Sequence, residues 1–262
     1  MSIGAGTLLP GRGLRRPDGR ALRLAVPATL LAFSAVGWWW SARMADDAMG
    51  GMSGLGMHET MSFSAFVLAW LAMMTAMMFP AISPVVLLYS RASAQRTAAP
   101  LPFFVAGYLV VWTAIGIPAY AAWRALEMPI ADARPWAARL AGGVLIVAGI
   151  WQLTPLKDVC LRHCRSPLGF FMRYGKGLDR PFGAVRMGAM HGAFCVGCCW
   201  ALMAVLVAVG TMNLIWMVGL AVLILLEKTS PVGEGVAAVA AVAMLVVGVV
   251  MLFETSVFAQ LT

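Results

Sequence analysis

One apolar segment of the chain, residues 187–209, carries an unusual concentration of sulfur-bearing side chains together with a histidine. The candidate metal ligands of this segment are Met187, Met190, His191, Cys195, Cys198 and Cys199. Most of them recur at four-residue intervals, so in a helix they form one stripe. Sulfur-bearing residues in a membrane helix usually serve packing, but a histidine there is costly and indicates function. Because thiol and thioether ligands are soft, the combination predicts a site for a soft metal ion.

A second apolar segment, residues 63–89, adds four candidate thioether ligands, which are Met73, Met74, Met77 and Met78. They stack on adjacent turns of one side of a helix. Pro80 and Pro84 follow, and each removes a helical hydrogen bond. The carbonyl groups left free are tolerated at membrane depth where they are buried in protein or line a cavity. The midpoints of the two segments fall near Ala76 and Cys198, so both sulfur clusters should lie near the centre of the bilayer, and we expect them to face each other. The alternative for the methionines is core packing.

Two further groups of ligands flank these segments. An outer loop, residues 43–62, offers Met44, Met49, Met52, Met57, His58 and Met61 between glycines. This loop is a candidate capture site for a soft metal ion, or else a short amphipathic helix on the bilayer surface. On the inner side, Cys160, His163 and Cys164 form a compact candidate receiving site, although three ligands are fewer than structural zinc requires.

The composition indicates the elements that must position these residues. Of 262 residues, 61% are hydrophobic and 11% are charged, and the mean hydropathy is +0.86. Soluble domains carry about a quarter charged residues, so a soluble enzyme, a disordered chain and a secreted disulfide scaffold are excluded. The sequence predicts an all-α polytopic helix bundle forming a single transmembrane domain, 1–262, in a lipid bilayer. Seven apolar segments are present, at 22–42, 63–89, 101–123, 137–154, 187–209, 213–226 and 235–253.

The distribution of basic residues predicts the orientation of the bundle. With the N-terminus in the cytoplasm, 15 of the 19 Lys and Arg residues fall on the inner side and 4 on the outer side. This bias favours an inner N-terminus and an outer C-terminus, with a basic tail at 1–21 and a basic inner loop at 155–186. It also accounts for the net charge of +8 without a nucleic-acid partner. The apolar run of the first segment is longer than that of a signal peptide, so we expect the segment to be retained.

Acidic and basic residues meet where the sixth segment ends. Glu227 and Lys228 close that segment, and Glu234 opens the seventh. Only a short turn separates them. We expect these charges to pair across the turn in a structural role.

Three stretches of the sequence resemble a known family. They are residues 191–203 followed by 226–228, residues 73–80, and residues 155–164. With these motifs the chain resembles a bacterial family of uncharacterised predicted metal-binding integral membrane proteins, a family with a domain of unknown function. The resemblance extends over residues 62–234. It implies metal handling in a multi-pass protein of the bacterial inner membrane.

These observations favour a non-enzymatic membrane protein that binds or translocates a soft cation, most simply Cu(I). One alternative is a metal-delivery or assembly factor that works with other membrane subunits or a metallochaperone. The other is a membrane thiol redox protein that cycles a disulfide between Cys195 and Cys198 or Cys199. No nucleotide-binding loop is present, so transport would not use ATP on this chain.

Overall fold

The computed structural model describes residues 19–51, 61–94, 101–132, 134–174, 180–209 and 213–256, and this part of the chain is helical without strands. The helices are α1 (Gly19–Gly51), α2 (Phe63–Ala94), α3 (Leu101–Ala131), α4 (Pro135–Gln152), α5 (Pro155–Arg165), α6 (Pro167–Tyr174), α7 (Pro181–Val209), α8 (Leu214–Thr229) and α9 (Gly233–Phe253). The predicted all-α class is confirmed. Residues 43–51 of the Met-rich outer loop continue α1, and the basic inner loop contains α5 and α6.

Five of these helices are long and apolar enough to cross a membrane, which is consistent with the predicted helical membrane bundle. The candidate spans are Leu24–Asp46, Phe63–Arg91, Leu101–Ile130, Pro181–Val209 and Gly233–Phe253. Helices α4 and α5 meet at an angle of 66° and would form a sixth span together. Helix α8 has 16 residues, which is shorter than the roughly 20 residues that a straight span requires. Seven spans and the orientation of the termini therefore stay predictions.

Glycines bring helices α3 and α7 into close contact. A Cβ atom at Gly107 would overlap the backbone of Val185, and one at Gly188 would overlap the backbone of Phe104. Small residues permit this backbone approach in membrane bundles, where packing rather than the hydrophobic effect drives helix association. The tight contact fixes the position of α7, which carries the candidate ligands.

The prolines inside α2 leave two backbone carbonyl groups without their helical donors, and serine hydroxyls donate to both of them. Pro80 cannot donate to the carbonyl of Ala76, and the buried hydroxyl of Ser34 on α1 donates to that oxygen at 2.7 Å. Pro84 likewise frees the carbonyl of Pro80, which accepts from Ser83 Oγ at 2.9 Å. Free carbonyl groups at membrane depth are tolerated where they are buried in protein or line a cavity, and the Ala76 carbonyl is buried in protein.

Candidate metal site

The centre of the site is the thiol of Cys195, which contacts side chains from three other helices. Lys228 Nζ of α8 donates to Cys195 Sγ at 3.0 Å. Tyr108 of α3 places its hydroxyl 3.2 Å from the same sulfur. Met78 of α2 places its Sδ 4.0 Å from Cys195 Sγ and 3.9 Å from the ammonium of Lys228. All four side chains are buried, so the polar atoms meet away from solvent.

The remaining thiols of α7 lie beside this centre. Cys198 and Cys199 donate to the carbonyl oxygen of Cys195 at 3.1 and 2.9 Å. Cys198 Sγ also lies 4.0 Å from the sulfur of Cys164, which comes from α5. Thiols from two helices therefore connect the Cys195 centre to α5.

The break between α4 and α5 explains how Cys164 reaches α7. Thr154 caps α5 by accepting from the backbone N–H of Lys157 at 3.3 Å, and Pro155 occupies the first helical position. The short helix then packs along α7, where a Cβ atom at Gly197 would lie 2.6 Å from Cys160 Sγ. Both thiols of α5 are thus directed at α7.

His163 makes other contacts than the thiols with which the sequence groups it. Its Nδ1 lies 2.8 Å from the carbonyl oxygen of Val159, and its ring stacks on Phe194 with the centroids 4.1 Å apart. The structure therefore brings Cys164 to the thiols of α7 and places the imidazole in an aromatic contact.

His191 is fully buried among aromatic rings. The centroids of Phe104, Tyr108 and Phe170 lie 6.2, 6.1 and 5.3 Å from its ring. Within the described residues, neither of its ring nitrogens has a hydrogen-bond partner. Buried polar groups in proteins almost always have such a partner, so this imidazole has coordinating capacity that the surrounding side chains do not use. It lies one helical turn before Cys195.

The candidate thioether ligands of α2 and α7 lie largely inside the bundle. Met73, Met74, Met77, Met78 and Met187 are buried, and Met190 is half-buried. Met73 lines a cavity of about 10 Å³ together with Met44 of α1 and Met217 of α8. The Sδ atom of Met44 accepts from Trp40 Nε1 at 3.0 Å. These three thioether side chains therefore line one small cavity, and Met73 precedes Met78 on α2 by more than one helical turn.

The described part of the outer loop contains few of its candidate ligands. Met61 is half-buried and packs against the core. The side chain of Met49 and all of Met52, Met57 and His58 lie outside the described residues. The capture site stays a prediction.

The buried charges at the end of α8 make contacts that the sequence analysis did not anticipate. The expected pairing of Glu227, Lys228 and Glu234 across the turn is wrong. Glu227 Oε2 accepts from Lys157 Nζ at 2.8 Å, and its Oε1 accepts from Gln152 Nε2 at 2.6 Å. Lys157 also donates to the Gln152 side chain. The signal was present in the sequence, because adjacent opposite charges at the end of an apolar helix are costly unless each one has a buried partner.

Lys228 has no carboxylate partner in the described part of the chain, where the ion pairs are Lys157–Glu227 and Arg134–Asp132. A buried ammonium group requires a counter-charge. The thiol of Cys195, as its thiolate, is the group in contact that can supply one. The site therefore combines soft sulfur ligands with a positive charge.

The sulfur atoms, rather than a conventional set of ligands, define what this site can bind. No three Cys, His or carboxylate side chains of the described residues converge as in a preformed metal centre. The contacts instead join thiols with a thioether, Cys195 with Met78, and thiol with thiol, Cys164 with Cys198. Such soft, low-coordinate arrangements suit Cu(I) and poorly suit Mg²⁺ or Ca²⁺.

Comparison with known proteins gives one family and no individual relative. No curated protein and no solved structure matches the chain. One family model matches residues 67–251, which include Cys195 and the Met78, Tyr108 and Lys228 side chains that contact it. The expected resemblance to a metal-handling family is confirmed to the extent that this family is linked to copper. The chain belongs to the family described as PpoB2, copper chaperone.

Proposed function

We propose that this protein binds Cu(I) within the membrane and delivers it to a partner, as the description of its family suggests. The observation that carries the proposal is the contact between Cys195 Sγ and Met78 Sδ, 4.0 Å apart, on different helices inside the bundle. Thioethers are neutral and soft, so they stabilise Cu(I) and gain little with Cu(II) or Zn(II). A thiolate beside a thioether provides the start of a two- or three-coordinate Cu(I) site.

The neighbouring thiols offer a path for ligand exchange. Cys198 follows Cys195 on α7, and Cys164 of α5 lies 4.0 Å from it. A metal ion held by Cys195 and Met78 can exchange one sulfur ligand at a time toward Cys198 and then Cys164. Low coordination makes each transfer easy, because every sulfur adds only part of the binding energy.

The ring nitrogens of buried His191 have no hydrogen-bond partner among the residues that the structure describes, which supports a role as a metal ligand. Neutral imidazole is a good ligand for copper. Its position one turn before Cys195 keeps it on the same stripe of α7. We assign it as an auxiliary ligand that binds when the metal ion is present.

The biological setting of the site is part of the same proposal. The protein is a multi-pass protein of the bacterial inner membrane, with an inner N-terminus and an outer C-terminus as the basic residues predict. The outer methionines capture the ion, and the delivery partner is another membrane subunit or a metallochaperone. The protein is not an enzyme in this account.

A competition titration with a chromogenic Cu(I) chelator tests the proposal. Under reducing conditions the purified protein is expected to bind Cu(I), and both Cys195→Ser and Met78→Leu should weaken binding. The matched control is Met251→Leu, because Met251 on α9 is as fully buried as Met78 and packs against α4, where a Cβ atom at Gly142 would lie 3.1 Å from its own Cβ. If Met78→Leu and Met251→Leu behave alike, the second-helix methionines serve packing. If the folded wild-type protein binds no Cu(I), the proposal is wrong.

The thiol redox function stays the second candidate because the structure brings Cys164 and Cys198 together, with their sulfurs 4.0 Å apart. Two thiols would lose two protons and two electrons to an added oxidant such as diamide and form one S–S bond of about 2.05 Å. Rapid, reversible formation of this disulfide in a protein that binds no Cu(I) would favour the redox function over copper delivery.

A further inference from the structure

Soft sulfur ligands alone do not decide the charge of the ion that the site accepts. Thiolate and thioether sulfur binds monovalent Cu(I) and Ag(I), and it also binds soft divalent ions such as Cd(II). A site built only of the Cys195, Met78 and Cys198 sulfurs would therefore accept both classes. A second feature is needed to select between them.

Lys228 supplies such a feature. Its ammonium nitrogen lies 3.0 Å from Cys195 Sγ and 3.9 Å from Met78 Sδ, the two atoms that start the proposed copper site. The side chain is buried, with 6% of its surface exposed, so water screens its charge little. Any ion bound between these sulfurs lies within a few ångström of a fixed positive charge.

Among the described residues, no carboxylate compensates the charge of Lys228, because the carboxylate next to it in the chain has other partners. Glu227 precedes Lys228 but is directed elsewhere, where Lys157 and Gln152 occupy both of its oxygens. Within the described residues, no other carboxylate forms an ion pair with a buried lysine. The Lys157–Glu227 pair is thus neutral as a unit, and the ammonium group of Lys228 contacts the sulfur atoms of Cys195 and Met78 instead.

We propose that Lys228 determines the specificity of the site by admitting soft monovalent cations and rejecting soft divalent ones. The inference rests on the proposed function, since it concerns the ion bound by Cys195 and Met78. The repulsion between the ammonium group and a bound ion doubles when the charge of the ion doubles. The sulfur ligands provide affinity for both classes, and the ammonium sets a penalty that grows with the charge of the ion.

The test compares Ag(I) with Cd(II), which have the same number of electrons and differ in nuclear charge. Their affinities for the full-length purified protein are measured by competition for wild type, Lys228→Gln and Lys228→Arg. The glutamine variant removes the charge and keeps a polar side chain, whereas the arginine variant keeps the charge. One unit charge about 4 Å from the ion, at an effective dielectric constant of about 20, corresponds to a change of about 1,000-fold in the Ag(I)/Cd(II) affinity ratio.

The expected result is that Lys228→Gln lowers this ratio by about 1,000-fold, mainly by strengthening Cd(II) binding, while Lys228→Arg retains the wild-type preference. Lys228→Leu provides a second neutral variant if the buried amide of glutamine prevents folding. An unchanged ratio in a folded neutral variant that still binds Ag(I) would overturn the specificity role and leave the copper proposal intact. Absence of Ag(I) binding by the wild-type protein would instead refute the copper proposal itself.

Discussion

The buried ion pair between Lys157 and Glu227 gives the sharpest prediction about how the site is held together. Lys157 is fully buried, Glu227 is nearly so, and the two are 2.8 Å apart, with Gln152 bonded to both. The pair connects the start of α5 to the end of α8. It therefore fixes α5, which carries Cys164, relative to the end of α8, which carries Lys228.

Replacing Lys157 with Met should destabilise the protein by about 3–5 kcal/mol, because the Glu227 carboxylate remains buried without its counter-charge. The double variant Lys157→Met with Glu227→Gln should lose less, since it removes the uncompensated charge. The matched control is Asp132→Asn, which breaks the Arg134–Asp132 pair, in which the side chains are 56% and 45% exposed. That exposed pair is expected to contribute less than about 1 kcal/mol.

The assay is unfolding of the purified protein in mixed micelles with increasing dodecyl sulfate, followed by far-ultraviolet circular dichroism. Alkylation of Cys164, which is buried against Cys198, provides a local readout and should be faster in the Lys157→Met variant. Equal losses of stability in Lys157→Met and Asp132→Asn would refute the reasoning. So would a double variant that is as unstable as the single Lys157→Met variant.

Three further predictions concern the bundle. Ser34→Ala should lower the free energy of unfolding by about 1 kcal/mol, because the carbonyl oxygen that Pro80 leaves free loses its donor. The same micelle titration measures this loss, and an unchanged midpoint would show that the hydrogen bond contributes nothing. Gly188→Leu should prevent α7 from packing on the backbone of Phe104 and should reduce the yield of monodisperse protein, whereas Gly143→Leu, at a position with open space around it, should not. Reporter fusions at the two termini should give opposite answers, and finding both ends on one side of the membrane would contradict the predicted orientation.

The sequence predicted the elements of the site better than their connections. Hydropathy alone indicates a helical membrane bundle, and four-residue spacing correctly places Cys195 and Cys199 on one side of α7. The approach of Met78 to Cys195 could be anticipated because both lie near the centres of their spans. Spacing along one helix, however, says nothing about which turn of a neighbouring helix lies opposite it.

The residues that the sequence analysis missed depend on long-range contacts. Lys228 and Tyr108 reach Cys195 from α8 and α3, and no local pattern links positions so far apart. Cys164 was grouped with His163 because they are adjacent, yet the orientation of α5 directs the thiol inward and the imidazole toward Phe194. Charges at the end of an apolar helix were assigned to each other for the same reason, whereas burial required separate partners.

Copper X-ray absorption spectroscopy of the full-length protein, loaded with Cu(I) under reducing conditions, tests the central claim most directly. The account predicts an edge characteristic of Cu(I) and a coordination shell dominated by sulfur, which loses sulfur in the Cys195→Ser variant and is unchanged in Met251→Leu. A shell made only of nitrogen and oxygen scatterers would contradict it. Identical spectra for the wild type and Cys195→Ser would likewise place the copper elsewhere in the protein.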